Sequence, residues 1–491
     1  MSGKTVLLFD MGSYCDFNLT EAVVDELLRT GFTVYHVTDN KNSKRTDKAK
    51  VVRILYDLPV SVRSAMSNAD QLNSTADGKV SHLINESSID AGLFFAGVYR
   101  SILKHVVGCV DVMLVHYPAL PLLVSIPQSV LENIPTCIFY VAPAYPNYSV
   151  PWVFVDRLRD PSLALRDPTQ KDYNLESTLW MYSVMGAIVL QTNKLINLVK
   201  SADIIVAWDV EYFPPVAPYE QLKPVTYAGA ILDRADLEAD HSANVPRDVA
   251  AFVSRNEFRK LVYMSLGSFG FDVFPVVKAF LSDPSTAIIY HDLSKAASDE
   301  LIAAGDFGDR LLIHTTSFPH AWIVPRCSVI ATTGSICLVN IALYHAIPLV
   351  ILPLLNEQFM WAKNYATMSG VPYIDPSAGN IDYQARRALE SALSPNTSKF
   401  MKSVRKSVRE SDGCKAISLS VQRVVAQRPI TARFPELCGS VPGEVQIINK
   451  KLRTPQGIVS ILASVTMFII LAVVIMYRWR NQARIRPSVV F

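Results

Sequence analysis

Thr5-Val-Leu-Leu-Phe-Asp10, Met11-Gly-Ser-Tyr-Cys-Asp16 and Asn18-Leu-Thr-Glu21 are consecutive pieces of one local pattern. The first is a short apolar run with no helical period, as expected of a strand buried on both faces. The second is a turn. The third reads as a capping box, opening a helix whose apolar face is Ala22, Val23, Leu27 and Leu28. Gly31 stops that helix, and Phe32-Thr-Val-Tyr-His-Val37 is the next strand. Working outward, Val51–Leu55, Gly92–Phe95, Val110–Val115 and Pro135–Val141 continue the alternation, and Leu175–Val199 reads as helical. A polar stretch follows Leu232, and a second series begins at Leu261-Val-Tyr-Met-Ser-Leu-Gly-Ser268. It continues through Ala287–Tyr290, Leu311–His314, Val329–Thr332 and Leu349–Leu352. Strands alternating with helices predict an α/β chain of two doubly wound parallel units. The expected boundaries are 1–232 and 259–449, joined by a linker over 233–258.

The chain has 491 residues, half of them hydrophobic and only 19% charged, which excludes disorder as a description of the whole. Its 47 Lys and Arg against 44 Asp and Glu are scattered, so no nucleic-acid-binding surface is expected. Seven cysteines without a C-x-x-C pair argue against a zinc ribbon or a dithiol redox centre, and no metal is expected. They read as small buried hydrophobes.

Gly457 to Tyr477 carries no charge over 21 residues, about 31 Å of helix, enough to cross a bilayer. Arg478, Arg480, Arg484 and Arg486 follow in a basic tail, 478–491. This pattern predicts a single C-terminal transmembrane helix over 457–477. The apolar run Thr5–Phe9 is too short for a signal peptide, whereas N-x-S/T triplets at Asn18, Asn73, Asn85, Asn147 and Asn396 lean towards a lumenal body. The expectation is therefore a membrane-anchored protein, with the endoplasmic reticulum as its membrane and the side left open.

Doubly wound units bind ligands at the carboxyl ends of their strands. The loops to inspect are therefore Gly12–Asn18, Gly267–Phe269, Thr332–Leu338 and Pro353–Trp361. The third opens a helix, whose amides can hold a phosphate.

These loops carry a resemblance. Gly12-Ser-Tyr-Cys-Asp-Phe-Asn-Leu19 is similar to the G-S-R-G-D-V-Q-P turn that opens the sterol 3-β-glucosyltransferase and glycopeptide glycosyltransferase branch of the GT-B glycosyltransferases. UDP-glucuronosyltransferases are wider relatives of that branch. The strand ending in Gly267-Ser268 resembles the opening of the family's second domain. The family signature P-H-D-W-L-F-P-R, H-H-G-G-A-G-T-T, G-V-P and G-D-Q-x-F-W meets four blocks here in register. They are Pro319-His-Ala-Trp-Ile-Val-Pro-Arg326, Thr332-Thr-Gly-Ser-Ile-Cys-Leu-Val339, Ala346-Ile-Pro348 and Asn356-Glu-Gln-Phe-Met-Trp361.

The resemblance implies two Rossmann-like domains, an acceptor-binding one over 1–232 and a nucleotide-sugar-binding one over 259–449. It implies transfer of a hexose from a UDP-sugar to a hydroxyl of a lipophilic, sterol-like acceptor, with the UDP-sugar as co-substrate and no other cofactor. Asp16 is then the proton acceptor, and Glu357 and Gln358 hold sugar hydroxyls. Gly267, Ser268, His320, Thr333, Gly334 and Ser335 belong to the donor site. Trp322, Trp361 and Tyr140 read as packing residues. The phosphate loop departs from the family: the paired histidines are Thr332 and Thr333, and Gly334 is the one glycine retained. That departure carries a second reading, an inactive glycosyltransferase-like binding or scaffold protein.

Overall fold

The structure, a computed structural model, describes residues 3–10, 17–38, 50–55, 97–141, 198, 201–213, 225–266, 273–291, 301, 307–353, 356–375, 380–427 and 434. The described fold lies within the compact unit Met1–Leu437. It contains two all-parallel sheets. In the first, β1 (Thr5–Phe9), β2 (Thr33–Thr38), β3 (Val51–Leu55), β4 (Val112–His116), β5 (Thr136–Tyr140), β6 (Asp203–Val206) and β7 (Thr226–Tyr227) take the order β3-β2-β1-β4-β5-β6-β7. In the second, β8 (Lys260–Ser265), β9 (Thr286–His291), β10 (Leu311–His314), β11 (Val329–Thr332) and β12 (Leu349–Ile351) take the order β10-β9-β8-β11-β12. Each sheet starts at its centre, winds one way and then the other, which creates a switch point beside β1 and another beside β8.

The apolar strand runs are buried on both faces, as their lack of alternation requires: Val6 to Phe9, Val112 to Val115 and Val329 to Ala331 are fully enclosed. Helix α1 (Phe17–Arg29) covers the first sheet. In the second half, α2 (Arg247–Arg255), α3 (Phe274–Leu281), α4 (His320–Ile323), α5 (Ile336–His345), α6 (Asn356–Ser369), α7 (Ile381–Ala392) and α8 (Pro395–Glu410) surround the second sheet. Helix α5 is apolar on every side and buried from Ile336 to Tyr344, the composition of a helix sandwiched between sheet and outer helix. Helix α8 is amphipathic, burying Met401, Val404 and Val408, and Ser394 caps it by accepting from the Thr397 amide.

The last described long helix, α9 (Gly413–Gln427), returns to the first sheet and packs on α1 and β4. The Thr30 and Ser418 hydroxyls meet there at 2.9 Å. Its entry is tight. Gly413 donates its amide to the Ala230 carbonyl at 3.2 Å, and a Cβ on Gly229 (φ +79°) would lie 2.6 Å from the Ser411 Cβ.

One expectation changes. Helix α1 begins at Phe17, so Asn18 is inside the first turn and Glu21 does not close a capping box. The Glu21 carboxylate is buried and takes Arg53 as its partner, at 2.7 and 2.9 Å; a buried charge needs a countercharge more than a helix end needs a second cap. Strands β6 and β7 were not legible, being four and two residues long. The segment 233–258 contains α2 and the short helix Arg234–Glu238, which Asp233 caps through the Asp236 amide. The strand expected at Gly92–Phe95, the helix expected over Leu175–Val199 apart from Leu198, and the span 457–477 lie outside the described residues. Among the described residues no helix is long and apolar enough to cross a membrane.

Candidate functional site at the carboxyl ends of the two sheets

At the second sheet, β11 ends in Thr332, and Thr333-Gly334-Ser335 leads into α5. Thr332 and Thr333 are buried, and the Gly334 amide donates to the Thr332 hydroxyl at 3.3 Å. Gly334 has φ +100°, a backbone state that favours glycine. A Cβ at this position would stand 3.4 Å from the Cα and Cβ of Gln358 and 3.5 Å from the Ile351 side chain. The loop therefore lies directly against the first turn of α6, which carries Glu357 and the buried Gln358. Strand pairing explains the meeting. Thr332 lies opposite Ile351, so the loops leaving β11 and β12 start side by side. At the head of α5, Ser335 occupies the cap position and its side chain makes no capping bond.

His320 opens α4, half-buried, with its ring 5.7 Å from Tyr263 and 6.1 Å from His291. Around it runs a polar chain that the sequence did not disclose. The Tyr263 hydroxyl meets His291 Nδ1 at 2.7 Å, and His291 Nε2 meets the Thr316 carbonyl at 3.1 Å. The Thr316 hydroxyl meets His314 Nε2 at 2.8 Å, and His314 Nδ1 meets Asp248 at 3.2 Å. Tyr263, His291 and His314 come from three strands far apart in sequence, β8, β9 and β10, which pair side by side.

The first sheet ends in charge. Asp10 follows β1, His36 lies in β2 and His116 closes β4. The Asp10 carboxylate receives His116 Nδ1 on Oδ1 at 3.1 Å and faces His36 Nε2 from Oδ2 at 3.6 Å. The other nitrogen of His36 faces Glu21 at 3.7 Å, and Arg53 completes the row. Burial pushes the Asp10 carboxyl up. The hydrogen bond from His116 and the nearby His36 outweigh it, holding the group well below the usual carboxylate range. His116 stacks on Phe139 of β5 at 4.9 Å, and Tyr117 stacks on Tyr140 at 4.2 Å. A polar residue closing an apolar strand run, Asp10 after Thr5–Phe9 and His116 after Val112–Val115, was the available signal.

Of the residues expected in the site, Thr333, Gly334, Ser335 and Gln358 come together at the second sheet. Glu357 shares their helix turn, and His320 stands over Tyr263. Asp16, Gly267 and Ser268 lie outside the described residues. Trp361 and Tyr140 are buried packing residues, and Trp322 carries the Arg326 guanidinium over its ring at 4.3 Å. Cys137, Cys327, Cys337 and Cys414 are buried and form no disulfide among the described residues. Among the described residues no group of His, Cys, Asp and Glu is arranged to hold a metal.

No protein-family profile and no curated protein sequence matches the chain. Solved structures do. The glycosyltransferase of kitacinnamycin superposes with a TM-score of 0.58 at 17% identity, covering 87% of this chain and 100% of the other. A UDP-glucosyltransferase from Polygonum tinctorium, capable of glucosylating indoxyl, gives 0.58 at 12% identity, covering 87% and 99%. A UGT transferase from Siraitia grosvenorii, in complex with UDP, gives 0.55 at 11% identity, covering 86% and 99%. At these identities the likeness is one of fold, and the fold of this chain is the two-sheet GT-B fold of the UDP-glycosyltransferases.

Proposed function

We propose that the protein is a membrane-anchored glycosyltransferase that moves a hexose from a UDP-sugar to a hydroxyl of a lipophilic acceptor. The observation that carries this reading is the contact between Gly334 and Gln358. It sets the head of α5, where amides favour a diphosphate, against an amide side chain able to exchange hydrogen bonds with vicinal sugar hydroxyls. Solved structures of the same fold include one in complex with UDP. In this reading Thr333, Ser335 and the α5 amides receive the diphosphate, and Glu357 and Gln358 receive the sugar. Gly267, Ser268 and His320 complete the donor side. The acceptor oxygen attacks the anomeric carbon as the bond to UDP breaks, and its proton passes to a base at the carboxyl end of the first sheet. Register with the family offers Asp16 for that base. The UDP-sugar is the co-substrate and no other cofactor is invoked. Residues 457–477 hold the body at a membrane, with the endoplasmic reticulum as the proposed location, so that a membrane-dissolved acceptor reaches the site.

One observation favours a second reading. The loop carries threonines in place of the family's paired histidines, and the Thr332 hydroxyl is engaged by the Gly334 amide, so the loop offers a phosphate no cationic side chain. A catalytically inactive binding protein would tolerate that loss. Calorimetric titration of UDP against the detergent-solubilised full chain, followed by release of UDP from radiolabelled UDP-glucose, separates the two. Binding with turnover supports the transferase, whereas binding without turnover, or no binding at all, defeats it and supports the second reading, an inactive binding or scaffold protein. Recovery of the chain in a carbonate-extracted supernatant would defeat the membrane anchor.

A further inference from the structure

The positive residues are scattered in sequence, and the fold collects some of them on one helix. Helix α8 carries Lys399, Lys402, Arg405, Lys406 and Arg409 against a single carboxylate, Glu410. At about 100° per residue these five positions fall within about 120° of the helix circumference, a stripe about 15 Å long. It lies on the far side from Thr397, Met401, Val404 and Val408, which α8 buries as it packs on α5. Lys399, Lys402 and Lys406 are exposed, and among the described residues no carboxylate pairs with them or with Arg405. Arg409 donates to the Tyr344 carbonyl at 3.2 Å and lies over that ring at 4.6 Å, so its charge stays on the same side. Elsewhere exposed cations stand beside acids: Arg29 with Glu26, Lys260 with Asp283, Arg386 with Asp382. Like charges three and four residues apart weaken a helix, and an opposing anionic surface removes that cost.

We propose that the outer face of α8 docks on an anionic lipid surface, its lysines meeting the headgroup phosphates and carboxylates. The inference deepens the membrane reading above by naming the face turned to the bilayer. Lysines on a convex helix are mobile point charges, and a fluid layer of headgroups can arrange itself around them. A nucleic-acid strand needs stacking platforms as well as charge. The aromatic ring of this helix, Phe400, is set edge-on against Tyr212 and Tyr365 and offers no such platform. Each lysine near an anionic membrane contributes about fivefold to affinity, an effect that fades as salt shortens the screening length.

The test uses the full-length protein reconstituted into nanodiscs of phosphatidylcholine, with or without phosphatidylserine, and reads acetylation of single lysines by mass spectrometry. At low salt Lys399, Lys402 and Lys406 are expected to react about fivefold or more slowly in the phosphatidylserine discs. The exposed Lys278 of α3 should not change. High salt should abolish the difference. Equal reactivity in both discs, or the same protection at Lys278, would overturn the proposal. Stronger protection by an oligouridylate than by the anionic discs would assign the face to nucleic acid and overturn it as well. If the chain stays out of both discs, the anchor fails, and sedimentation with preformed vesicles of the same two compositions decides the face alone. Salt-sensitive binding to the phosphatidylserine vesicles then supports the proposal, and no binding overturns it. Joint replacement of Lys399→Gln, Lys402→Gln and Lys406→Gln should lower that vesicle affinity about a hundredfold at an unchanged Tm. Full affinity in the folded triple variant would overturn the assignment to α8.

Discussion

The two sheets share a winding pattern and differ in what they place at their carboxyl ends. The first gathers two carboxylates, two imidazoles and a guanidinium, all buried or nearly so. The second offers hydroxyls, a glycine in the left-handed region and the start of a helix. Ionisable groups removed from water must pair with one another, so the first end is an interlocked set in which each member depends on its neighbours. The second end needs no countercharges. Its polarity comes from hydroxyls and from backbone dipoles that the helix holds in line. One fold thus carries two different kinds of electrostatics, each set by side chains at strand ends.

The comparison breaks most visibly at Arg53. Arg53→Met leaves Glu21 buried without its main countercharge, and a loss of about 3–5 kcal/mol in urea unfolding is expected. A loss below about 1 kcal/mol would mean that the first end is not interlocked. Restoring an imidazole at the second end, Thr333→His, should tighten UDP binding about ten- to a hundredfold by calorimetry, the worth of one hydrogen bond to a charged group. Gly334→Ala acts in the opposite sense. It should weaken UDP binding and cost about 1–2 kcal/mol in stability, because φ is positive and Gln358 stands at contact distance.

Acidification sharpens the contrast. Asp10 is held below its usual range in the folded chain, so its contribution is complete above about pH 4, the unfolded carboxylate value, and is lost as pH falls further. Thermal melts of Asp10→Asn should therefore show a shallower acid limb than wild type. His345, at the end of α5, behaves differently. Burial, with Arg409 and Arg405 nearby, pushes its pKa down to about 4. Its unfolded form takes a proton below about pH 6.5, so stability declines from there down to the folded value, and His345→Gln should flatten that window. The smallest effect is at Ala346, the one non-glycine with positive φ among the described residues, at φ 61°. Ala346→Gly relieves the strain at the helix end and should raise stability by less than about 1 kcal/mol, read as a rise in Tm.

Several features were legible because they depend on neighbours in sequence. The apolar runs Leu311–His314 and Val329–Thr332 were read at their observed limits, and the helix-opening loop at Gly334 could be named from its position between a strand and an apolar run. The glycine of the family's G-V-P block is Ala346 here, and the left-handed backbone at that point explains what glycine does there. Short strands escaped. β7 exists only because Ile205 and Val206 offer a ladder to Thr226 and Tyr227, and a two-residue strand has no periodicity to detect.

The order of apolar and polar residues was enough to establish two parallel α/β units, since a strand buried on both faces and a helix with one apolar stripe differ in period. It could not show which side chains would share a strand end. Asp10, His36 and His116 are separated by 26 and 80 residues, and nothing local links them until β2, β1 and β4 pair side by side. Glu21 looked like half of a helix cap because its nearest polar partner in sequence was Asn18. Packing of α1 over β2 buried the carboxylate and brought Arg53 of the neighbouring β3 to 2.7 Å, and at that separation, away from water, a countercharge outweighs a cap.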